Sequence, residues 1–262
     1  MPPTSEIGEN DAVAAEYDRT DALRGASFTD ADLRDARFRS CDMRGVRIVD
    51  SWLVDVNVSG AVGKFVINDV DVSSFVEDEL RRRHPERTQL QSMKTADDYG
   101  AMWDTIERLW SDAAARIERL PEAARYEQVD GEWSFVETMR HLVFATDAWA
   151  SRTVLDEPMP YHRLGLTHTS YPPDDAVALG IDNAAKPSFA EVMEVRADRV
   201  ALVRRILDGL TDAELDRMCT RTPAPGYPDE PHSVGTCLRV VMDEECDHYR
   251  YMARDISVLE AR

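Results

Sequence analysis

The last part of the chain places apolar residues with the period of a helix. From Ser233 onward they recur every three or four positions, which puts them on one face of an amphipathic helix. Glu244 and His248 lie in the same stripe, where a carboxylate is costly unless it is paired or binds a metal. The pattern therefore predicts a cation between these two side chains. The apolar members are Val234, Cys237, Leu238, Val241, Met252, Ile256 and Leu259.

The same periodicity predicts three further helices. One stripe covers residues 102–120 and is halted by Pro121. Ser134 and Ser188 each begin a capping-box sequence, and the helices that follow are predicted to run to about residue 155 and to near residue 209. Four long amphipathic helices without an intervening strand pattern predict a four-helix bundle, in which metal sites are built from inward side chains on facing helices.

His141 lies in the most apolar of these helices, seven residues after Ser134. A lone histidine in such a helix is commonly a hydrogen-bonded core residue. Because Glu244 and His248 also point inward from another helix, the three residues together predict a metal site. Two nitrogens and one oxygen leave positions open for water or substrate, as in catalytic sites. Glu245 can also share a helix face with His248 and stays the alternative ligand.

Other polar residues fall near this predicted site. His162, His168 and His232 lie in loops that contain Pro and Gly. The connection 156–187 is long enough to form a lid over a metal, although loops that merely carry solvated histidines are the alternative. Tyr249 and Arg250 follow His248 directly and could bind an anionic group or cover the rim of the bundle.

A different period governs the first third of the chain. Bulky apolar residues recur every five positions, with a small or lesser apolar residue two positions before most of them. A chain that turns a corner every five residues can point both registers inward and stack its coils, and eight repeats would make about two coils. The bulky register is Leu23, Phe28, Leu33, Phe38, Met43, Ile48, Leu53 and Val58, and the other is Ala26, Ala31, Ala36, Cys41, Val46, Ser51 and Val56.

The period-five pattern decays after Val62 into a highly charged stretch. We therefore predict repeats over residues 20–76, a charged linker over 77–94 and the bundle over 95–260.

Composition narrows the classes of partner. The 262 residues are 43% apolar and 31% charged, with a net charge of −19, which disfavours nucleic acid and anionic membranes as partners. No signal-like segment and no run of about eighteen apolar residues occurs, so we expect a cytoplasmic protein. The four cysteines lack C-x-x-C spacing and are expected to be reduced. Three lysines against 28 arginines suggest a GC-rich bacterial genome.

Two regions of the chain resemble known families. The run ASFTD-ADLRD-ARFRS-CDMRG resembles the pentapeptide-repeat family, whose fold is a right-handed, four-sided β-helix that usually serves as a scaffold or docking module. The segments WSFVETMRH and DEECDHYR resemble the second and last helices of DinB-like four-helix bundles over roughly residues 95 to 260. That superfamily contains metal-dependent thiol transferases and mycothiol-dependent maleylpyruvate isomerases.

The DinB resemblance implies site residues. His141 matches the first metal ligand of the family and His248 the last, whereas Glu244 stands where a histidine is more usual. A carboxylate should lower the preference for soft metals, and the departure leaves open that the site has lost its metal.

We therefore expect an α+β multidomain protein, with a short pentapeptide-repeat right-handed β-helix followed by an all-α DinB-like four-helix bundle. The expected cofactor is a divalent metal ion (zinc, nickel, manganese or iron), together with a low-molecular-weight thiol such as mycothiol. The expected function is transfer of that thiol to an electrophilic small molecule. A metal-water hydrolase and a non-catalytic interaction protein with a structural metal or vestigial site are the alternatives. The sequence leaves open whether the repeats bind a protein partner and whether the protein forms a homodimer.

Overall fold

A computed structural model describes residues 15–60 and 62–262 of the chain. The chain divides into two compact units, one ending at Ser59 and the other running from Gly60 to Arg262.

Residues with a left-handed backbone recur every five positions through residues 25–60. Ala26, Ala36 and Val46 each donate a backbone hydrogen bond to the carbonyl three residues earlier, at 3.0 to 3.2 Å, which closes a turn. The period of five in the sequence is thus a period of turns in the backbone. The left-handed positions are Gly25, Asp30, Asp35, Ser40, Gly45, Asp50, Asp55 and Gly60.

The inward burial that we predicted for the two apolar registers is not observed. The bulky side chains from Leu23 to Val58 are between 38% and 60% exposed, and the described residues 15–60 contain no β-strand. Two coils give each turn few neighbours against which to bury an apolar side chain. The structure shows a regularly turning segment and does not show the predicted β-helix.

The second unit begins with a short hairpin and continues as helices. Asn68 and Asp69 join β1 to β2 and both have positive φ, as a two-residue hairpin turn requires. The elements are β1 (Val66–Ile67), β2 (Val70–Asp71), α1 (Ser73–Arg83), α2 (Pro85–Ser92), α3 (Ala96–Glu118), a 3₁₀ turn (Glu122–Tyr126), α4 (Phe135–Thr146), a π-helix (Asp147–Val154), α5 (Pro173–Ala178), α6 (Phe189–Asp208), α7 (Asp212–Leu215), β3 (Met218–Cys219), β4 (His232–Ser233) and α8 (Val234–Glu260).

Residues 77–94, which we predicted as a charged linker, lie mostly in α1 and α2. Leu90 and Met93 are buried, and α2 packs against α3 and α8. Arg239 of α8 donates hydrogen bonds to the carbonyl oxygens of Leu90 and Met93, at 2.5 and 2.9 Å. The range 20–76 predicted for the repeats likewise includes the hairpin and the start of α1. The segment looks like a linker because α1 buries none of its residues and α2 only two.

The four long helices predicted from the sequence are present and surround one core. Helices α3 and α4 each pack against both α6 and α8, which makes α3 and α4 one diagonal of the bundle and α6 and α8 the other. The predicted capping boxes at Ser134 and Ser188 are formed, with each hydroxyl accepting a hydrogen bond from the backbone N–H three residues later. Among the described residues, no helix is long and apolar enough to cross a bilayer.

Helix α4 widens into a π-helix at Asp147, which the sequence pattern did not indicate. The N–H of Leu155 donates to the carbonyl of Ala150, five residues earlier, at 3.0 Å. Asp147 is fully buried at this junction and accepts hydrogen bonds from Arg199 and from the backbone N–H of His162. The junction thereby links α4 to α6 and to the connection that follows. Wider helical turns of this kind often lie near functional sites.

A fragment that begins at Met93 should fold, but it should be less stable than a fragment that begins at Ser73. The shorter fragment lacks the buried Leu90 side chain and the Leu90 carbonyl that Arg239 binds. We expect a difference of about 2 to 3 kcal/mol in the free energy of unfolding. Urea unfolding of both fragments measures it, and equal stabilities would show that α2 contributes nothing to the bundle.

Candidate metal centre

His141 of α4 meets Glu244 and His248 of α8. Oε2 of Glu244 is 3.3 Å from Nε2 of His141 and 3.3 Å from Nε2 of His248. One ligand atom from each residue lies within 4.8 Å of the others. Glu244 and His248 share a face because they are one helical turn apart, and α4 packs against that face. The structure thus brings together the three residues singled out in the sequence.

The orientation of His141 is fixed by the backbone. Its Nδ1 lies 3.0 Å from the carbonyl oxygen of Leu166, a distance at which an Nδ1–H donates a hydrogen bond. Nε2 then faces Glu244: it donates a hydrogen bond to the carboxylate when the ring is doubly protonated, and it offers a lone pair to a metal when the ring is neutral. Histidine ligands of metals usually donate their other ring N–H to an acceptor in this way.

Trp133 packs against both imidazoles. The centroid of its ring is 4.7 Å from that of His141 and 5.7 Å from that of His248, to which it is nearly parallel at 15°. The two histidine rings are 4.8 Å apart. Trp133 directly precedes Ser134, the N-cap residue of α4, so the start of this helix fixes the position of the Trp133 backbone. The indole thereby restricts the rotation of both histidine side chains.

Glu244 is held in its charged form. Burial acts to raise the pKa of its carboxyl group, but the hydrogen bonds and charges of His141 and His248 outweigh burial and hold the pKa well below its usual range. The centre therefore combines one carboxylate with two imidazole nitrogens.

Glu245, the alternative ligand, faces a different partner. Its side chain is completely buried, and Oε1 accepts a hydrogen bond from Nη2 of Arg196 in α6 at 2.5 Å. Because adjacent residues of an α-helix point about 100° apart, Glu244 faces α4 while Glu245 faces the core. The geometry favours Glu244 as the residue that accompanies the histidines.

Arg140 holds the connection 156–187 against α4, and the sequence pattern did not reveal it. Its guanidinium is buried and donates hydrogen bonds only to backbone carbonyls, among them those of Leu164 at 2.9 Å, Asp182 at 2.6 Å and Ala185 at 2.8 Å. The carbonyl of Arg140 in turn accepts a hydrogen bond from the N–H of Leu166 at 3.1 Å. The residue beside His141 thus positions the carbonyl that orients its ring.

Of the loop histidines, His168 is the one whose pKa the residues of the centre influence. Burial lowers its pKa, the charge of His141 lowers it further, and Glu244 acts in the opposite direction. The ring of Tyr227 is 6.2 Å from that of His168, and burial, followed by the charge of Glu244, raises the Tyr227 pKa to about 12. His162 and His232 lie elsewhere, beside Asp147 and in β4 respectively.

Tyr249 and Arg250 take no part in the centre. The ring of Tyr249 packs edge-on against Trp110 in the core, 5.7 Å away, and the guanidinium of Arg250 lies over the ring of Tyr251. Tyr249 also lines a cleft of about 580 Å³ beside His84 and Glu86, which includes none of the three clustered residues. The predicted role for this pair in binding an anionic group at the site gains no support.

Two family profiles match the chain. The profile of the DinB superfamily matches residues 105–252, more than half of the chain, and the match includes His141, Glu244 and His248. The chain belongs to the DinB superfamily. The pentapeptide-repeat profile matches residues 23–60 in eight copies. Both resemblances stated from the sequence are confirmed.

Among solved structures, the chain is similar to a crystal structure of a protein from Streptococcus pneumoniae, a target of the Northeast Structural Genomics Consortium. The two are 16% identical, the alignment covers 68% of this chain and 98% of that one, and the TM-score is 0.46. No curated protein matches significantly.

Replacing Arg140 with Met should release the connection 156–187. The carbonyls that it binds would lose their donor while still largely buried, and we expect a loss of about 3 kcal/mol in the free energy of unfolding. Backbone amide hydrogen exchange at residues 164–167 should accelerate. Arg163→Met, at an exposed position of the same connection, is the matched control and should change stability by less than about 0.5 kcal/mol. Equal behaviour of the two variants would contradict the role of Arg140.

Proposed function

We propose that this DinB superfamily member is a metal-dependent enzyme that transfers a low-molecular-weight thiol to an electrophilic small molecule. His141, Glu244 and His248 would hold one divalent cation. The observation that carries the proposal is the spacing of their ligand atoms, 3.3 Å between Glu244 Oε2 and Nε2 of each histidine.

The two distances from Glu244 suit ligands of a common cation. The three ligand atoms lie within 4.8 Å of one another, and any two that are more than about 4.2 Å apart would have to move closer to share the ion. Two ligands bound at about 2.0 to 2.1 Å with a tetrahedral angle lie about 3.3 to 3.4 Å apart. A charge-assisted hydrogen bond between imidazolium and carboxylate would be shorter, about 2.7 to 2.9 Å. The hydrogen bond from His141 to Leu166 adds the outer-shell contact that metal-binding histidines commonly make.

Three protein ligands also leave room for a reactant. Catalytic zinc sites have three protein ligands and one exchangeable position. A divalent cation in this centre would lower the pKa of a bound thiol and so provide a nucleophile at neutral pH. The carboxylate of Glu244, in place of a third histidine, favours harder metals such as manganese or iron over softer ones. The thiol itself is proposed from the family resemblance.

We infer that His168 and Tyr227, whose pKa values respond to the charge of Glu244, move and hold protons for the reaction. Because the pKa of His168 is lowered, its imidazole is neutral at pH 7 and can accept the proton of an incoming thiol. The Tyr227 hydroxyl keeps its proton because its pKa is about 12, so it can donate a hydrogen bond to negative charge that develops on the electrophile. Both residues come from loops, where specificity commonly resides.

For the repeats, we infer that residues 23–60 form a short right-handed β-helix that docks a protein partner. The left-handed turn at every fifth residue supports this inference. Arg24 also lies close enough to Asp42 to contribute, after Arg44, to the lowering of the Asp42 pKa to about 2. Their separation in sequence is close to the twenty residues of one four-sided coil.

The purified protein should contain about one divalent metal per chain, and His248→Ala should weaken metal binding by more than about 100-fold because it removes a nitrogen ligand. Elemental analysis after mild purification and isothermal titration with manganese, zinc and nickel measure both. His162→Ala is the matched control, since His162 lies beside Asp147 and away from the centre.

A metal-free wild-type protein that also takes up none of the three added metals would remove the enzyme proposal. Equal affinities for wild type and His248→Ala would place the metal at other residues.

An electrophile such as a chloro-nitroaromatic or an epoxide should be consumed only when a small thiol is present. Mycothiol, bacillithiol, glutathione and cysteine, each combined with several electrophiles, form the assay panel, with His141→Ala as the blank. Tyr227→Phe should retain the metal but lose about 10- to 100-fold in rate, because it lacks the hydrogen-bond donor.

Equal turnover by wild type and His141→Ala would exclude the centre from the reaction. Turnover of an ester or amide without any thiol would instead support the metal-water hydrolase. Metal binding without either activity would support an interaction protein with a structural metal.

A further inference from the structure

Helix α8 carries two adjacent glutamates, of which Glu245 is fully buried and Glu244, 37% exposed, lies at the edge of the bundle interior. Glu244 meets the two histidines, and Glu245 meets Arg196. Both are carboxylates, and each is within one helical turn of His248. Residue type alone therefore does not determine which of them accompanies the histidines. Because Glu244, Glu245 and His248 turn together with α8, a rotation of the helix away from its observed setting would carry Glu244 and His248 away from His141.

The Arg196–Glu245 pair crosses the bundle core. Arg196 lies on α6 and is 3% exposed, and Glu245 lies on α8 and is 0% exposed. Helices α6 and α8 are diagonally opposed, so this ion pair joins two helices that are not neighbours in the bundle. A contact across the diagonal fixes the direction in which Glu245 points, and with it the rotation of α8.

Stability alone gives a weak reason for this pair. Removing two charges from water is costly, and replacing a buried ion pair with apolar residues of similar volume is often neutral or stabilising. The pair is also incompletely satisfied, since Arg196 Nη1 has no hydrogen-bond partner among the described residues and Glu245 Oε2 has only the nearby indole N–H of Trp110, beyond ordinary hydrogen-bond geometry. Apolar side chains at both positions would extend the surrounding core without these costs.

We propose that Arg196 is a positioning residue that, through Glu245, sets the rotation of α8 at which Glu244 meets His141 and His248. By binding Glu245 across the core, Arg196 holds α8 so that Glu244 faces α4. The metal-ligand role of Glu244 rests on the proposed function, whereas the placement of Glu244 beside the histidines in the metal-free protein does not.

The test compares wild type with the double variant R196M/E245M, which replaces the ion pair with apolar side chains of similar length. In metal-free protein, we expect the thermal midpoint to be equal or higher, while the ring ¹⁵N chemical shifts of His141 and His248 change because Glu244 is no longer held between them. With cobalt(II) as the probe, we expect affinity to fall about 10-fold or more and the visible absorption spectrum, which reports coordination, to change.

The matched control is R116M/E260M, which removes an ion pair between α3 and α8 beyond the site. It should leave the ¹⁵N shifts and the cobalt(II) spectrum unchanged. If R196M/E245M does not fold, R196K is measured in the same way, since lysine keeps the charge but not the planar guanidinium. We expect it to shift the histidine signals in the same direction.

The outcomes separate the two proposals. If the histidine ¹⁵N shifts change in R196M/E245M, the positioning role is supported. If the wild-type protein also binds no cobalt(II), the proposed metal function is removed while the positioning role stands. Unchanged histidine shifts in a folded pair variant, or in R196K where the double variant does not fold, would overturn the positioning role, whatever the cobalt(II) result.

Discussion

A carboxylate that leaves water must gain a cation or hydrogen-bond donors, and α8 carries Glu245 fully and Glu244 partly into the bundle. Glu245 gains Arg196 from α6, and Glu244 gains His141 from α4 together with His248 from its own helix. Three of the four long helices are therefore joined by polar contacts in addition to apolar packing. The requirement to match both charges explains why Arg196, His141 and His248 accompany the two glutamates.

The four long helices could be predicted because local interactions determine them. Apolar periodicity identifies the buried face, and the capping boxes at Ser134 and Ser188 use residues only three positions apart. The same reasoning misses α1 and α2, where few apolar residues such as Leu90 and Met93 are buried among many charges. For the repeats, the period of five correctly indicates the turns, but periodicity carries no information on how completely two coils can bury their side chains.

The sequence indicates the residues of the candidate site, but it does not indicate the residues that hold them in place. The apolar stripe favours Glu244 and leaves Glu245 as the alternative, whereas the partner of Glu245, Arg196, lies 49 residues away in the chain. The role of Arg140 is even harder to predict from the sequence, because its partners are backbone carbonyls 24 to 45 residues further along the chain. The identity of a residue does not reveal that its carbonyl will accept a hydrogen bond from a distant guanidinium.

The way in which Arg140 binds the connection has a consequence for how the protein can vary. Every residue has a backbone carbonyl, so the anchoring of the connection does not depend on which side chains stand at Leu164, Asp182 or Ala185. Substitutions along the connection can alter the surface around His168 while the backbone stays in place and His141 keeps its acceptor. The side chains of the connection can therefore change without changing the orientation of His141.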